Sequence, residues 1–233
     1  NFKGQALTTT VFNYKWGKRG LDSVKSYYNG TTTDKVYDIS GTVLLKSIEG
    51  SFLLSEDLYP EDDATEDLTK EYDSLRVTKY EEYDRAYENA TLMTVDNYDL
   101  LETTDNYAAI AEENKATHRG VQFKRMWGEV TSSERYNERG QAGRSFKEVY
   151  YLEEGAEVVS DYYLTTQEFQ GGKAKKTIKV KFDAQMKANS ITVTDNLEFD
   201  VFGNADKTET LEYDISLDEG ITGYYDENES IEA

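Results

Sequence analysis

The sequence predicts a mostly β fold of the α+β class, an antiparallel β-sandwich or curved sheet with a helical insertion at about residues 62–118. Runs of alternating apolar and polar residues follow one another along the C-terminal half, with short turn signals between them. Aromatic residues make up 13% of the chain, although hydrophobic residues reach only 37%. That aromatic share is typical of a folded chain rather than of an acidic disordered one.

The C-terminal half shows the clearest strand pattern. Ile178, Val180 and Phe182 alternate with lysines, and Leu211 and Tyr213 continue the same period of two. Such alternation is typical of antiparallel strands with one face buried and one face in water. A two-residue hairpin turn is expected at Gly171–Gly172. The expected strands are 121–131, 145–152, 156–169, 175–185, 189–202 and 207–218.

The N-terminal block also alternates, over residues 6–16 and 35–46. Glu49 and Gly50 indicate a turn that leads into a strand at 52–58, so a hairpin is expected there. Because a unit of two or three strands is marginal by itself, these N-terminal strands are expected to pair with the C-terminal meander.

Helical signals are confined to the middle of the chain. Asp63 followed by Glu66 fits a capping box, and an apolar stripe with spacings of three to five residues follows over 64–89. A second helix is expected over 105–116, with His118 at its C-terminal end. We expect one domain over 1–233, with an acidic tail at 220–233.

The formal net charge of −20 limits the partners of the chain. A surface this acidic repels nucleic acid and anionic membranes and favours cations and basic partners. Near-neutral blocks (1–50 and 121–190) alternate with acidic ones (51–120 and 191–233), so copies of the chain could pair with each other. The chain has no Cys, which excludes disulfides, and no apolar run long enough for a transmembrane segment.

Common catalytic residue sets are missing from the sequence. His118 is the single His, no Gly-x-Ser-x-Gly motif accompanies it, and no phosphate-binding glycine loop occurs. No enzymatic activity and no organic cofactor are therefore expected. A hydrolase that uses two carboxylates remains open, because 46 acidic residues offer too many pairs to choose from.

Calcium is the one metal that the sequence suggests. Hard cations bind clustered oxygen donors, and one segment beside Pro60 is dense in carboxylates. The same residues would also suit the N-terminus of the expected helix. The candidate ligands are Glu61, Asp62, Asp63, Glu66 and Asp67.

Aromatic and charged side chains suggest two kinds of surface. Adjacent Tyr pairs on a strand place one ring on each face, which could leave a platform for sugar stacking. The candidate rings are Trp16, Trp127, Tyr27, Tyr28, Tyr150, Tyr151, Tyr162 and Tyr163. Lys175, Lys179 and Lys181 are expected to face outward opposite acidic residues of the next two strands, either as ordinary cross-strand pairs or as a bipolar docking surface.

The function expected from these features is that of a non-enzymatic exported structural protein that self-assembles as a surface-layer or filament subunit. The chain starts at Asn1 rather than Met, which suggests a removed leader and an extracellular or cell-surface location. The expected assembly strand carries Phe12, Tyr14 and Trp16. The alternatives are a secreted or lipid-anchored module that binds a carbohydrate or an apolar ligand, and the carboxylate hydrolase.

Overall fold

The computed structural model describes residues 6–19, 22–58, 70–84, 89–102, 105–200 and 204–215. These residues form twelve β-strands and two single-turn 3₁₀ helices, at Tyr107–Ala109 and Glu112–Asn114. The strands are β1 (Thr8–Arg19), β2 (Asp22–Tyr37), β3 (Leu44–Leu58), β4 (Lys70–Tyr83), β5 (Ala90–Leu100), β6 (Lys115–His118), β7 (Val121–Tyr136), β8 (Ala142–Glu153), β9 (Ala156–Gln170), β10 (Lys173–Asp183), β11 (Ala188–Phe199) and β12 (Ala205–Asp214).

The strands form one open sheet in the order β1-β2-β3-β4-β5-β7-β8-β9-β10-β11-β12, with β6 paired to β7. The mostly β, antiparallel prediction is confirmed, and the strands form one sheet rather than a sandwich. The six expected C-terminal strands correspond to β7–β12. The expected pairing of N-terminal strands with the C-terminal meander is wrong, because β1 and β12 lie at opposite ends of the strand order.

The helical insertion is wrong wherever the structure describes it. Residues 70–83 and 90–100 are strands, and the second expected helix is two 3₁₀ turns followed by β6. A β-bulge explains the misleading spacing: Phe52 pairs with Tyr72 while Ser51 pairs with Ser74, so Asp73 is an extra residue. The bulge brings Tyr72, Leu75 and Val77 into one core at a spacing that resembles a helix.

Within the described residues a hairpin turn lies at Asp38, whereas Glu49 and Gly50, expected to form a turn, lie inside β3. The Asp38 carboxylate accepts hydrogen bonds from the amides of Thr42 (2.9 Å) and Val43 (3.0 Å), and Gly41 has a φ of +68°. Gly50 lies inside β3, where a Cβ would be 2.9 Å from the ring of Tyr72. It is a glycine for close packing and not for a turn.

The same turn chemistry recurs in three more hairpins. An aromatic residue is followed by Asp or Asn, whose side chain accepts backbone amide hydrogen bonds across the turn. The side chain of Asn137 accepts a hydrogen bond from the backbone amide of Gln141 (3.0 Å). In the same way Asp183 accepts from the amide of Lys187 (2.9 Å), and Asp200 accepts from the amide of Asn204 (2.8 Å). The shared pattern is Tyr37-Asp38, Tyr136-Asn137, Phe182-Asp183 and Phe199-Asp200. This signal was not among the expectations from the sequence.

The chain divides into two compact units. Unit 1 comprises Asn1–Glu82, Leu92–Glu129 and Tyr151–Val158, and unit 2 comprises Tyr83–Thr91, Val130–Tyr150 and Val159–Ala233. The core of unit 1 is Phe52, Tyr72, Leu75, Val77, Tyr98 and Phe123. The core of unit 2 is Leu164, Val180 and Phe182, packed by Tyr162, Ile178, Ala188 and Ile191. The single domain stays a prediction, and the acidic tail lies outside the described residues.

A buried ionic network lies in unit 1. The Arg125 guanidinium donates to Asp96 Oδ1 (3.0 Å), Asn114 Oδ1 (2.8 Å) and Glu157 Oε1 (2.7 Å). Asn114 in turn donates to the Gly155 carbonyl at 2.8 Å. The side chains of Arg125 and Asp96 are only 9% and 3% exposed. The network therefore ties β5, β7, the 3₁₀ segment and the β8–β9 turn together through polar groups.

None of the helices among the described residues has the length and apolarity needed to span a membrane.

Candidate assembly edges

Strand β1 is one end of the sheet and lies in unit 1. Among the described residues it pairs with β2 alone. Its outer edge consequently presents backbone N–H and C=O groups that an additional strand could pair with. Its sequence, Thr8–Arg19, contains three basic residues and no acidic residue.

The residues expected to mark an assembly strand share one face of β1, but they differ in exposure. Tyr14 is 49% exposed and Trp16 is 67% exposed, and their rings meet edge to face at 6.4 Å. The ammonium of Lys25 lies 4.4 Å from the Tyr14 ring centroid. Phe12, in contrast, packs against the core of unit 1. Tyr14 and Trp16 are therefore available to a partner, whereas Phe12 holds the strand in place.

A series of edge-to-face ring contacts anchors β1 to the core. Each ring touches the next at the centroid distances typical of favourable aromatic pairs. The contacts are Tyr14–Tyr27 (6.2 Å), Tyr27–Phe12 (5.9 Å), Phe12–Phe52 (5.7 Å), Phe52–Tyr72 (5.6 Å) and Tyr72–His118 (5.5 Å). These contacts within one copy of the chain hold the edge strand β1 against the sheet without a partner.

Asp34 on β2 adds a polar anchor at the start of β1. It accepts a hydrogen bond from the Thr8 hydroxyl at 2.7 Å. The Arg119 guanidinium donates to both carboxylate oxygens, at 2.9 and 3.0 Å. Because Thr8 lies on β1 and Arg119 follows β6, this one carboxylate connects the edge strand to the β6–β7 hairpin.

His118 lies at the end of β6 and not at the end of a helix as expected. Its side chain is 6% exposed, and its Nε2 lies 3.8 Å from Asp34 Oδ2, beyond hydrogen-bond distance. No hydrogen-bond partner for that nitrogen exists within the described residues. Burial lowers the pKa of His118, against the opposing effect of Asp34.

The lowered pKa of His118 gives a pH prediction for stability. In the unfolded chain His118 takes up a proton near the ordinary histidine pKa of 6.5, whereas in the folded chain its pKa is lower. Stability is therefore fully present above that pH and is lost as the pH falls below it. The urea concentration at which half of the protein is unfolded should decrease when the pH is lowered from 7.5 to 5.5. This decrease should be smaller in the His118→Asn variant. Equal falls in both proteins would contradict this assignment.

Strand β12 is the other end of the sheet and lies in unit 2. Within the described part of the chain it pairs only with β11. Every residue from Ala205 to Asp214 is exposed, including the large apolar side chains of Leu211 and Tyr213. Its sequence contains four acidic residues and one basic residue.

The expected sugar-stacking rings differ in exposure. Tyr150 is buried and Tyr151 is exposed, which confirms that adjacent rings on a strand face opposite sides. Tyr28 and Trp127 are exposed on different strands, β2 and β7. Tyr162 stacks on Phe146 with centroids 5.6 Å apart. Carbohydrate binding by these rings stays a prediction.

The outward lysines of β10 find partners on the preceding strand. Lys181 forms an ion pair with Asp161 at 2.8 Å, and Lys179 lies 4.6 Å from the Tyr163 ring centroid. Both partners belong to β9, whereas the expected acidic partners lie on the following strands. Lys175 is exposed.

The candidate calcium ligands Glu61, Asp62, Asp63, Glu66 and Asp67 lie outside the described residues. Among the residues that are described, no group of three or more His, Asp or Glu side chains is arranged to hold a metal ion. Calcium binding therefore stays a prediction from the sequence.

Comparisons of the chain with family models, with curated proteins and with solved structures found no match.

Proposed function

We propose that this chain is a non-enzymatic structural protein that self-assembles by pairing β12 of one copy with β1 of the next. The observation that carries the proposal is the presence of two edge strands of opposite charge. Strand β1 carries three basic residues and no acidic one, and β12 carries four acidic residues and one basic one.

The charges select one of the possible edge pairings. Two β1 strands side by side would bring basic residues together, and two β12 strands would bring acidic residues together. Like charges across neighbouring strands are destabilising, whereas each opposite pair contributes about 0.2–1 kcal/mol. Charged edges therefore prevent contact between identical edges and favour contact between unlike ones.

Contact between unlike edges has a consequence for the assembly. Such a heterologous contact leaves an unused edge on each side of every dimer, so it propagates into a ring or an open filament. Exposed apolar groups on both edges, Tyr14 and Trp16 on β1 and Leu211 and Tyr213 on β12, add cross-strand area. A surface-layer or filament subunit at the cell surface, outside the cytoplasm, is the role that fits such an assembly.

The proposal is tested by reversing the charge of one edge at a time. In the variant that we call all-acidic, both edges have a net negative charge; it carries Lys15→Glu, Lys18→Glu and Arg19→Glu. In the variant that we call all-basic, both edges have a net positive charge; it carries Glu209→Lys, Glu212→Lys and Asp214→Lys. Each variant alone should remain monomeric, because its two edges have the same sign. An equimolar mixture should co-assemble, because each edge now finds an opposite edge on the other variant. Light scattering reports the mass in each case.

A matched control carries Lys175→Glu, Lys179→Glu and Lys187→Glu, three exposed lysines away from both edges. This control changes the net charge by the same amount as the all-acidic variant and should assemble like the unmodified chain. Assembly of either edge variant alone, or failure of the mixture, would rule the proposal out.

A further inference from the structure

Unit 2 contains a pocket that the assembly proposal does not use. It has a cavity volume of about 310 Å³, which lies at the small end of the range for ligand pockets. Three hairpins contribute to it: the β7–β8 turn, the β9–β10 turn and the β11–β12 hairpin. The lining includes Arg139, Gln141, Gly172, Lys173, Asn196 and Phe199.

Of the described residues that line this pocket, two are cations and none is a carboxylate. Neither Arg139 nor Lys173 forms an ion pair with any acidic residue in the described segments. The chain as a whole has a net charge of −20, so the positive charge of this pocket is opposite in sign to that of the whole chain. The uncompensated charges favour a ligand that carries an anionic group.

Both cations lie against neighbouring groups of the pocket. Lys173 lies with its ammonium 5.0 Å from the ring centroid of Phe199, a cation–π contact that positions the charge. Gly172 has a φ of +73°, and a Cβ at this position would collide with the Arg139 guanidinium. The glycine thus serves the turn and also makes room for the arginine.

Neutral amides lie beside the cations. Asn196 is fixed by a hydrogen bond to the Ala174 carbonyl (2.7 Å) and by another from the Thr208 hydroxyl (2.9 Å). The Gln141 carbonyl oxygen accepts from Asn137 at 2.8 Å, which leaves the Gln141 amide N–H groups for a ligand. Amide donors suit hydroxyl groups, so the ligand should carry hydroxyls as well as an acid.

We propose that this pocket binds an acidic monosaccharide unit, a uronic acid, with its carboxylate between Arg139 and Lys173. The guanidinium supplies paired donors for the carboxylate, and the ammonium supplies a second charge. Gln141 donates to a ring hydroxyl. None of the residues whose charge is reversed in the edge variants lines the pocket, so the pocket and the assembly are tested by separate variants.

The test is calorimetric titration of the full chain with D-glucuronate, D-glucose and inorganic sulfate. Glucuronate should bind saturably with a dissociation constant of about 1 mM or lower. Arg139→Gln and Lys173→Gln should each weaken that binding at least tenfold. Lys175→Gln, a neighbouring exposed lysine outside the pocket, should leave it unchanged.

The neutral sugar and the bare anion separate the two parts of the proposal. Glucose should bind at least tenfold more weakly than glucuronate, since it lacks the carboxylate. Glucuronate that fails to saturate, or that binds no more tightly than sulfate, overturns the proposal. Equal losses in Lys175→Gln and Lys173→Gln overturn it too, because they would indicate charge attraction without a site.

Discussion

Replacing Arg125 with methionine is expected to lower the free energy of unfolding by about 3–5 kcal/mol. The substitution removes the guanidinium from Asp96, whose side chain is 3% exposed, and from Asn114 and Glu157. The Lys79 ammonium, 3.8 Å from Asp96, remains but lies beyond hydrogen-bond distance. Removing the guanidinium from a buried carboxylate costs far more than the pair itself contributes to stability.

Two further variants make the Arg125 prediction specific. Asp96→Asn combined with Arg125→Met should recover a large part of the loss, because the buried carboxylate is then removed together with the guanidinium. Arg135→Met removes an arginine that is 69% exposed, and it should cost about 1 kcal/mol or less. Urea unfolding measures all three. A loss in Arg125→Met that is no larger than in Arg135→Met would contradict the role of the network.

Replacing Gly30 with alanine is expected to loosen the edge strand β1 from the sheet. A Cβ at this position would collide with the Val11 carbonyl oxygen and would lie 2.7 Å from the Phe52 ring. Because the Val11 carbonyl is part of the β1 backbone, the clash can be relieved only if the strand moves. Overpacking of this kind typically costs about 1–3 kcal/mol, and here the loss should fall on the β1–β2 pairing.

Hydrogen exchange locates the effect of Gly30→Ala. Amides of β1 that pair with β2 should exchange faster in the variant, while those of β10 should not change. Thr9→Ala, on an exposed position of the same strand, should alter stability by about 0.5 kcal/mol or less. Unchanged protection along β1 would show that the sheet accommodates the methyl group.

The C-terminal strands could be predicted because their alternation is strict. Ile178, Val180 and Phe182 face one side without interruption, and Gly171–Gly172 forms the turn with φ values of +59° and +73°. The strands in the middle of the chain could not be predicted from alternation. A bulge at Asp73 changes the face on which later residues lie, and the resulting spacing imitates a helix. Bulges depend on strand pairing, which a single strand's sequence does not show.

The candidate site was predictable only in part. Alternation placed Phe12, Tyr14 and Trp16 on one face, but their different exposure follows from the position of β1 at the sheet edge. The ionic network joins Asp96 to Arg125, 29 residues away, through a register that no local pattern reveals. The turns at Asp38, Asn137, Asp183 and Asp200, in contrast, have a local signal in the sequence, an aromatic residue followed by Asp or Asn, that was not among the expectations.

The mass of the purified chain in solution, measured by light scattering over a range of concentrations and salt, tests the central claim most directly. The assembly proposal expects species larger than the 26.6 kDa chain that grow with concentration. High salt should shrink them, because exposed opposite charges are screened at short distance. A single species of 26.6 kDa at every concentration and salt would contradict assembly through the β1 and β12 edges.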